Sequence, residues 1–419
     1  MGKLKIFLSY HKNTPLYKSD VFEPIQVGAA INDIRLGMIT DNTGDNISHL
    51  NNYYCELTAY YYILKNYIDT CEEDYIGFAH YRRLIDLTQI SEKDTPSIYG
   101  VNYSNAFKLF KSFKNYDLAE KCKPYDIILP CSAYMYKETV NPEIRENEPP
   151  IDMYNQFKIE HKNNLIDILK EVITEKYPSY IDAMNDCFSS TSAHFYNIYV
   201  MKKDILKEFL IWEFDILNEI SETIRGWENS NFYRMAGFIG ERLINIWLKA
   251  NKDKNYKIGY TPVYMIDFES EYIQNANHFH FIKRYDLELE ELKHLLEISS
   301  DRFSVYLAIL KAYFNLNDEK ILKKQISEIL NYTKTYEELL SVISICEKYN
   351  FHNITVECYE QVLAQFPNNI DIARKFLNFA KKTHNIEITM QAWKHLINLN
   401  ITPQERSDYE NFMKIYSLL

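Results

Sequence analysis

Up to about residue 284, short apolar runs alternate with amphipathic stretches in the pattern of an α/β protein. Three runs predict buried strands, at residues 5–9, 75–79 and 125–130. Residues 193–203 alternate in character around Asn197 and predict a further strand. Helical periodicity fills the intervals, so the pattern indicates a Rossmann-type open sheet with connecting helices.

Two helices of this region have recognisable starts. Asn51 or Asn52 is a suitable N-cap for a helix over residues 53–67, and Asp204 for one that runs to about residue 224. A long helix is predicted over residues 151–177. Residues 137–150, which are rich in Pro and Glu, predict a loop.

Beyond residue 285 the strand pattern ends and short amphipathic helices follow. Apolar residues recur there 34 positions apart, as in Tyr359 and Trp393 or Val362 and Leu396. This is the period of tetratricopeptide repeats, whose helix pairs bury their faces by stacking. We therefore predict two domains, an α/β domain over 1–284 and an all-α, repeat-like domain over 285–419.

The composition excludes several classes of protein. Glycine occurs 10 times, where average usage would give about 29, and neither a GxGxxG nor a P-loop motif is present. The net charge of −11 argues against general nucleic-acid binding. Seven scattered cysteines without CxxC spacing argue against a zinc site or a disulfide framework. The chain runs directly into a strand and has no long apolar stretch, so we expect a cytoplasmic protein.

The run at residues 75–79 ends in His80, Tyr81, Arg82 and Arg83. Ligands of open α/β sheets bind at the carboxyl ends of strands, and Arg matches phosphate oxygens bidentately. If the strand continues, His80 and Arg82 share one face and Tyr81 and Arg83 the other. The pattern favours an anion site; an Arg pair that is salt-bridged to nearby acids is the alternative.

The first strand ends in a similar way, with Ser9 followed by Tyr10, His11 and Lys12. Two such ends side by side would form one polar mouth, which is the usual place for a nucleotide in a doubly wound sheet. A surface position for His11 is an equally open interpretation.

Carboxylates near this rim are candidates for acid–base chemistry. Asp41, Asp45 and Glu56 are a weakly specified metal site, and solvated loop acids are the more ordinary interpretation. Glu241 lies on the apolar stripe of a predicted helix, where a carboxylate must be paired or functional. It is either an ion-pair partner of Arg242 or Arg234, or a general base.

Several stretches taken together resemble the DUF4422 family of bacterial polysaccharide-biosynthesis proteins. The stretches are residues 6–12 (IFLSYHK), 41–46 (DNTGDN), 52–59 (NYYCELTA), 75–83 (YIGFAHYRR), 125–130 (YDIILP), 195–202 (FYNIYVMK) and 237–243 (GFIGERL). They occur in order over about residues 3–270, and the resemblance leaves out the C-terminal helices. Members are similar to GT-A-type glycosyltransferases and are linked to galactofuranose transfer from UDP-galactofuranose in capsule, O-antigen and exopolysaccharide synthesis.

The resemblance implies a nucleotide-sugar site at the strand ends. Most GT-A enzymes hold a metal there with an Asp-x-Asp motif, whereas this chain has cationic residues, so we expect metal-independent, inverting transfer that needs no cofactor. Glu241 is the expected base, with Asp45 and Glu56 in reserve, and His80, Arg82 and Arg83 stabilise the departing UDP. The expected binding residues are Ser9, His11, Lys12, Asp41, Asp45, Asn46, Glu56, Tyr81, Asn197 and Arg242.

The expected partners are a nucleotide-sugar donor and a glycan or lipid-linked glycan acceptor. The C-terminal helices are expected to contact another protein or the inner face of the cell membrane. Two other functions stay open: transfer from a UDP-hexopyranose, and a non-catalytic scaffold that binds glycans or partners. The abundant Tyr and Phe suit carbohydrate stacking in an enzyme and in a scaffold alike.

Overall fold

The computed structural model describes residues 3–95, 99–136, 149–230, 232–299, 301–317, 319–333, 335–349 and 351–416. The chain divides into two compact units, Met1–Phe268 and Glu269–Leu419. This division follows directly after the last strand, whereas the predicted boundary at residues 284/285 lies after the next helix and stays a prediction. Most of the predicted loop over residues 137–150 lies outside the described residues.

The N-terminal unit alternates strands and helices. Its strands are β1 Leu4–Tyr10, β2 Phe22–Gln26, β3 Ile39–Thr40, β4 Tyr75–His80, β5 Arg83–Ile85, β6 Tyr99–Asn102, β7 Ile127–Pro130, β8 Ala133–Tyr134, β9 Ser192–Ala193, β10 Tyr199–Lys202, β11 Ile258–Thr261 and β12 Val263–Asp267. Its helices are α1 Asn51–Tyr54, α2 Leu57–Asn66, α3 Tyr103–Ser112, α4 Leu118–Cys122, α5 Met153–His161, α6 Leu165–Lys176, α7 Ile181–Phe188, α8 Lys203–Thr223 and α9 Met235–Ala250.

Ten strands of the described part of the chain form one mixed sheet, with the central order β11–β7–β10–β4–β1–β2–β3. β1 to β4 are parallel where they pair, β10 is antiparallel to both of its neighbours, and β11 is parallel to β7. β5 and β12 continue the sheet from the end of β4, and β6 pairs with β12. The three apolar runs are therefore strands, and the predicted α/β class is confirmed.

β4 lies at the centre of the sheet between β1 and β10, and its apolar residues are all buried. Gly77 is required there because a Cβ atom would lie 2.5 Å from Val200 Cγ2 and 2.9 Å from the Tyr199 carbonyl oxygen. Ring packing fixes the strand from one side, where Phe78 stacks on Tyr60 with the ring centroids 3.8 Å apart. A rigid central strand thus holds the residues that follow it in place.

Three predicted elements are interrupted by residues with positive φ. The helix over residues 53–67 breaks at Cys55 (φ 51°), which separates α1 from α2. The helix over residues 151–177 breaks at Lys162 (φ 52°), which separates α5 from α6. Residues 193–203 are no continuous strand, because Tyr196 and Asn197 take φ values of 78° and 52°. Non-Gly residues rarely adopt this conformation, so packing imposes each break.

The N-cap prediction for α8 was also wrong. The helix begins at Lys203, and Asp204 lies inside its first turn. A carboxylate in the first turn still interacts favourably with the helix dipole. The sequence therefore predicted this helix correctly and placed its N-cap two residues too late, at Asp204 instead of Lys202.

The C-terminal unit is all helical in its described residues. Its helices are α10 Phe268–Phe281, α11 Tyr285–Ile298, α12 Arg302–Leu316, α13 Glu319–Tyr332, α14 Tyr336–Lys348, α15 His352–Gln365, α16 Ile370–Thr383, α17 Ile386–Leu396 and α18 Pro403–Tyr416. α12, α14, α16 and α18 begin at steps of 34, 34 and 33 residues. Gln361 Nε2 donates a hydrogen bond to Ser327 Oγ, 34 residues earlier, at 3.1 Å. The predicted repeat-like architecture is confirmed and extends over more units than the sequence indicated. Across the described ranges, no helix has the length and apolarity of a membrane span.

Candidate functional site

A pocket of about 280 Å³ opens where β1 and β4 end. The parallel register of the two strands pairs Ser9 with His80. The ring of His11, just beyond β1, lies 6.0 Å from the ring of His80. The two polar strand ends therefore lie side by side, as the sequence predicts.

The pocket contains many, but not all, of the residues that the sequence singles out. The predicted residues that line it are Ser9, His11, Lys12, Glu56, His80, Tyr81, Arg82, Arg83 and Glu241. The predicted residues that do not line it are Asp41, Asp45, Asn46, Asn197 and Arg242. It is also lined by Val27, Asn51, Asn52, Cys55, Tyr233, Arg234, Gly237 and Phe238. The sequence pattern indicated Arg234 only as an ion-pair partner. Its position directly before the helix that carries Glu241 is the signal that could have identified it as a pocket residue.

The chain reverses direction at Tyr81 and Arg82, so the strand does not continue through the motif. β4 ends at His80, and β5 runs back antiparallel with Arg83 paired to His80. The expected alternation of faces is therefore wrong. Tyr81 is buried against Phe268, with ring centroids 6.2 Å apart, while Arg82 is exposed. A tight reversal brings both guanidinium groups to one end of the sheet.

Cations dominate one side of the pocket, where Arg82, Arg83 and Arg234 lie together with Lys12. In the described residues, no salt bridge within 4.0 Å joins any of these three arginines to a carboxylate. Each guanidinium instead lies over an aromatic ring: Arg83 is 4.6 Å from the centroid of Tyr196. Stacking on a ring leaves the N–H groups of Arg available for bidentate hydrogen bonds to an anion.

The two histidines of the strand ends are held neutral. Burial is the main cause that lowers the pKa of His11 to about 4, and the positive charges of Lys12, Arg82 and Arg234 contribute to the same shift. Burial and the neighbouring Arg83 likewise hold the pKa of His80 well below its usual range. Neutral imidazoles are hydrogen-bonding groups without charge. The positive charge of the pocket therefore comes from its arginines and Lys12.

Glu241 is one of the two carboxylates that line the pocket. Its Oε2 accepts a hydrogen bond from Arg242 Nη1 at 2.9 Å, and its Oε1 accepts one from the Tyr196 backbone N–H at 3.2 Å. Burial raises the pKa of Glu241, and the charges of Arg242 and Arg83 oppose this increase. A carboxylate with a raised pKa is a stronger base than an exposed one.

Arg242 supports Glu241 from outside the pocket. It is 2% exposed and also donates to the Phe238 carbonyl at 3.0 Å and to Gln156 Oε1 at 2.7 Å. The rings of Phe157 and Phe195 flank its guanidinium at 5.1 Å and 5.3 Å. Its Nη groups bond inside the protein, and its Nε is buried without a partner among the described residues. Arg242 is therefore placed to orient Glu241 and not to reach a ligand in the pocket.

Glu56 enters the pocket from the break between α1 and α2. Asn197, which is 2% exposed, donates Nδ2 hydrogen bonds to Glu56 Oε1 at 2.8 Å and to the Gly237 carbonyl at 3.1 Å. The positive φ of Cys55 turns the chain so that Glu56 directly precedes α2. Asn197 thus holds Glu56 from below and does not contact the pocket space itself.

The segment from Asp41 to Asn46 braces a loop. Asp41 is buried and accepts hydrogen bonds from the Gly28 and Ala29 N–H groups at 2.8 Å and 3.1 Å, as well as from Ser48 and Thr58. Asp45 accepts from the Tyr61 hydroxyl at 3.2 Å. Asn46 Oδ1 accepts from the Ser48 N–H at 3.2 Å. These hydrogen bonds tie the segment to the loop after β2, to Ser48 and to α2, and none of the three side chains lines the pocket. Across the described ranges, no cluster of three or more His, Cys, Asp and Glu side chains could hold a metal ion.

Comparison with known proteins supports both the fold and the family. The solved apo structure of the bifunctional glycosyltransferase WbbM is similar, with a TM-score of 0.51 and 25% identity over 64% of this chain and 46% of that one. This chain therefore spans less than half the length of that protein. No curated protein matches this chain significantly. The family described as a domain of unknown function, DUF4422, matches residues 5–252, which is more than half of the chain. This chain belongs to the DUF4422 family.

Proposed function

We propose that the chain is a glycosyltransferase that moves galactofuranose from a UDP-activated donor to a hydroxyl group of a growing cell-surface glycan. The observation that carries this proposal is the pocket itself, where three arginines without a carboxylate partner in the described residues face Glu241 and Glu56. A cationic side and a basic side in one pocket suit a reaction with an anionic leaving group. The similarity to WbbM supports the reaction class. The choice of sugar and of glycan rests on the family resemblance.

The arginines and Lys12 are proposed to hold the diphosphate of the donor. The negative charge on the diphosphate grows as the bond to the sugar breaks, so preorganised cations stabilise the transition state more than the ground state. In this proposal they do the work of a divalent metal, and transfer proceeds without one. Neutral His11 and His80 hydrogen-bond the nucleotide beside them.

Glu241 is proposed to act as the general base, with Glu56 as the second carboxylate of the pocket. The base takes the proton from an acceptor hydroxyl group, and the oxygen forms a bond to the anomeric carbon. The bond between that carbon and the diphosphate oxygen breaks on the opposite face, and its electron pair leaves with UDP. A single displacement of this kind inverts the configuration at the anomeric carbon.

The test is transfer by the purified full chain from UDP-galactofuranose to a lipid-free glycan acceptor, with EDTA or with manganese. The expected result is UDP release in EDTA. NMR should show that the anomeric configuration of the product is inverted relative to the donor. Faster transfer from UDP-galactopyranose would contradict galactofuranose as the donor sugar. Activity that EDTA abolishes and manganese restores would overturn the metal-free mechanism. UDP binding without release in the presence of acceptors would support a scaffold.

A further inference from the structure

A second carboxyl group lies beneath the pocket, on α8. Glu213 is 0% exposed, and neither of its carboxyl oxygens has a hydrogen-bond partner among the described residues. An ionised carboxylate in this position would lose its hydration without compensation. Burial and the charge of Glu56 raise the pKa of Glu213 well above its usual 4.5. Glu213 is therefore a neutral acid, and a neutral acid has one O–H group to donate.

Asn197 offers an acceptor that lacks a donor. Its Nδ2 contacts two acceptors, Glu56 Oε1 and the Gly237 carbonyl, so the amide orientation is fixed by chemistry. Its Oδ1 consequently points the other way, and it is buried without a partner in the described residues. A buried acceptor without a donor costs about 1–3 kcal/mol.

The two unpaired groups meet beside Gly240 of α9. A Cβ atom at Gly240 would lie 3.1 Å from Glu213 Oε1 and 3.2 Å from Asn197 Oδ1. Both oxygens thus border the small space that the missing side chain leaves. A single proton on Glu213 would give its O–H group an acceptor and Asn197 Oδ1 a donor.

We propose that Glu213 donates its proton to Asn197 Oδ1 and thereby locks the amide in the orientation that holds Glu56. Glu213 is then a positioning residue, which acts on the pocket through Asn197. If the amide turned over, Oδ1 would face two acceptors, and Glu56 would lose its hydrogen bond. This role rests on the proposed glycosyl transfer, but the hydrogen bond itself can be tested without it.

The surroundings of Glu213 keep it neutral. The titratable groups that face it are Glu56, Tyr60 and Tyr199. Burial holds the pKa values of both tyrosines well above their usual range, so they carry no charge. The Glu56 carboxylate disfavours a second negative charge on Glu213.

Two substitutions separate the donor from the charge. Glu213→Gln keeps an N–H donor of the same shape but cannot titrate, whereas Glu213→Met keeps the volume and removes the donor. Glu222→Gln, at an exposed position of the same helix, is the matched control. We expect Glu213→Gln to fold and to turn over like wild type, and Glu213→Met to lose about tenfold in kcat. UDP-induced stabilisation should be unchanged in both variants.

The pH dependence of the Tm tests the hydrogen bond independently of activity. A carboxyl group with a raised folded pKa stabilises the protein fully below its unfolded pKa of 4.5 and loses this contribution as the pH rises. The Tm of wild type relative to Glu213→Gln should therefore fall as the pH rises above about 4.5, while Glu222→Gln should follow wild type. Parallel curves of Tm against pH for wild type and Glu213→Gln would contradict a protonated Glu213. Failure of Glu213→Gln to fold, or equal turnover of the Gln and Met variants, would overturn the positioning role. Should Glu213→Met fail to fold, the pH dependence of the Tm of wild type and of Glu213→Gln still tests the hydrogen bond.

Discussion

Glu241 and Arg242 are neighbours in the chain, and Arg242 Nη1 donates a hydrogen bond to Glu241 Oε2 at 2.9 Å. Only Glu241 of this pair lines the pocket, while Arg242 is anchored among Phe157, Phe195 and Gln156. The cation therefore compensates a buried charge and fixes its direction. This pairing accounts for a carboxylate on an otherwise apolar helix face.

Replacement of Arg242 by Met should destabilise the protein by about 3–5 kcal/mol, because it leaves a buried carboxylate uncompensated. It should also raise the pKa of Glu241 further, since the charge of Arg242 opposes the effect of burial. The acidic limb of the pH profile of kcat/KM should then move to higher pH. Chemical denaturation and the pH profile measure the two effects, with Arg406→Met at an exposed position as the control. An unchanged limb would separate Arg242 from the base.

Glu241→Gln should lower turnover by about 10²–10⁴-fold while UDP binding is retained, because the amide keeps the shape and cannot accept a proton. In wild type, kcat/KM should rise with pH through the raised pKa of Glu241, since the base must be ionised. Single-turnover assays and UDP titration measure the two steps separately. Near-normal turnover of Glu241→Gln would move the role of base to Glu56, and Glu56→Gln is the direct comparison.

Asp41→Asn should lower the free energy of unfolding by about 3 kcal/mol without weakening UDP binding, because Asp41 accepts four hydrogen bonds that join its loop to neighbouring segments. Asp45→Asn should cost less than about 0.5 kcal/mol, as its side chain is exposed. Denaturant unfolding and UDP titration of both variants measure this. Loss of UDP affinity in a stably folded Asp41→Asn protein would mean that Asp41 takes part in donor binding.

His11 should contribute to acid sensitivity. Its pKa is lowered from 6.5 to about 4 by burial and nearby cations, so its contribution to stability is present above pH 6.5 and is lost as the pH falls toward 4. The loss amounts to about 3 kcal/mol at most. His11→Gln should flatten the decline of the free energy of unfolding over this window, and His278→Gln at an exposed position should not. Equal declines in wild type and His11→Gln would mean that His11 titrates freely.

The strands were predictable because their signals are local. The apolar runs around Phe7, Phe78 and Ile128 have no other stable place than a buried sheet, and their polar ends follow from the sheet's parallel register. The helix breaks were not predictable, because Cys55 and Lys162 carry no sequence signal for positive φ. Tertiary packing imposes those conformations.

Fold rules predicted the side of the site that lies at the strand ends. Ser9 and His80 lie at the ends of buried strands, with His11 and Arg83 just beyond them, so their neighbourhood could be inferred. Glu56 and Glu241 were singled out as carboxylates, and the fold brings them to the same pocket. Asp41 has the same residue type as a metal ligand, but its partners are backbone N–H groups that a linear pattern does not show. Arg234 reaches the pocket from a distant helix start, which requires the three-dimensional fold.

Thermal stabilisation by UDP in EDTA, measured for wild type and for Arg83→Gln, tests whether the pocket arginines bind the diphosphate without a metal. Arg83 faces the pocket over the ring of Tyr196, and loss of a charged hydrogen bond to phosphate should weaken UDP binding about 10- to 100-fold. Arg406→Gln is the matched control. The account predicts that UDP in EDTA raises the Tm of wild type and of the control, and raises that of Arg83→Gln much less. No shift with UDP, or a shift only with manganese, would contradict a pocket in which arginines take the diphosphate.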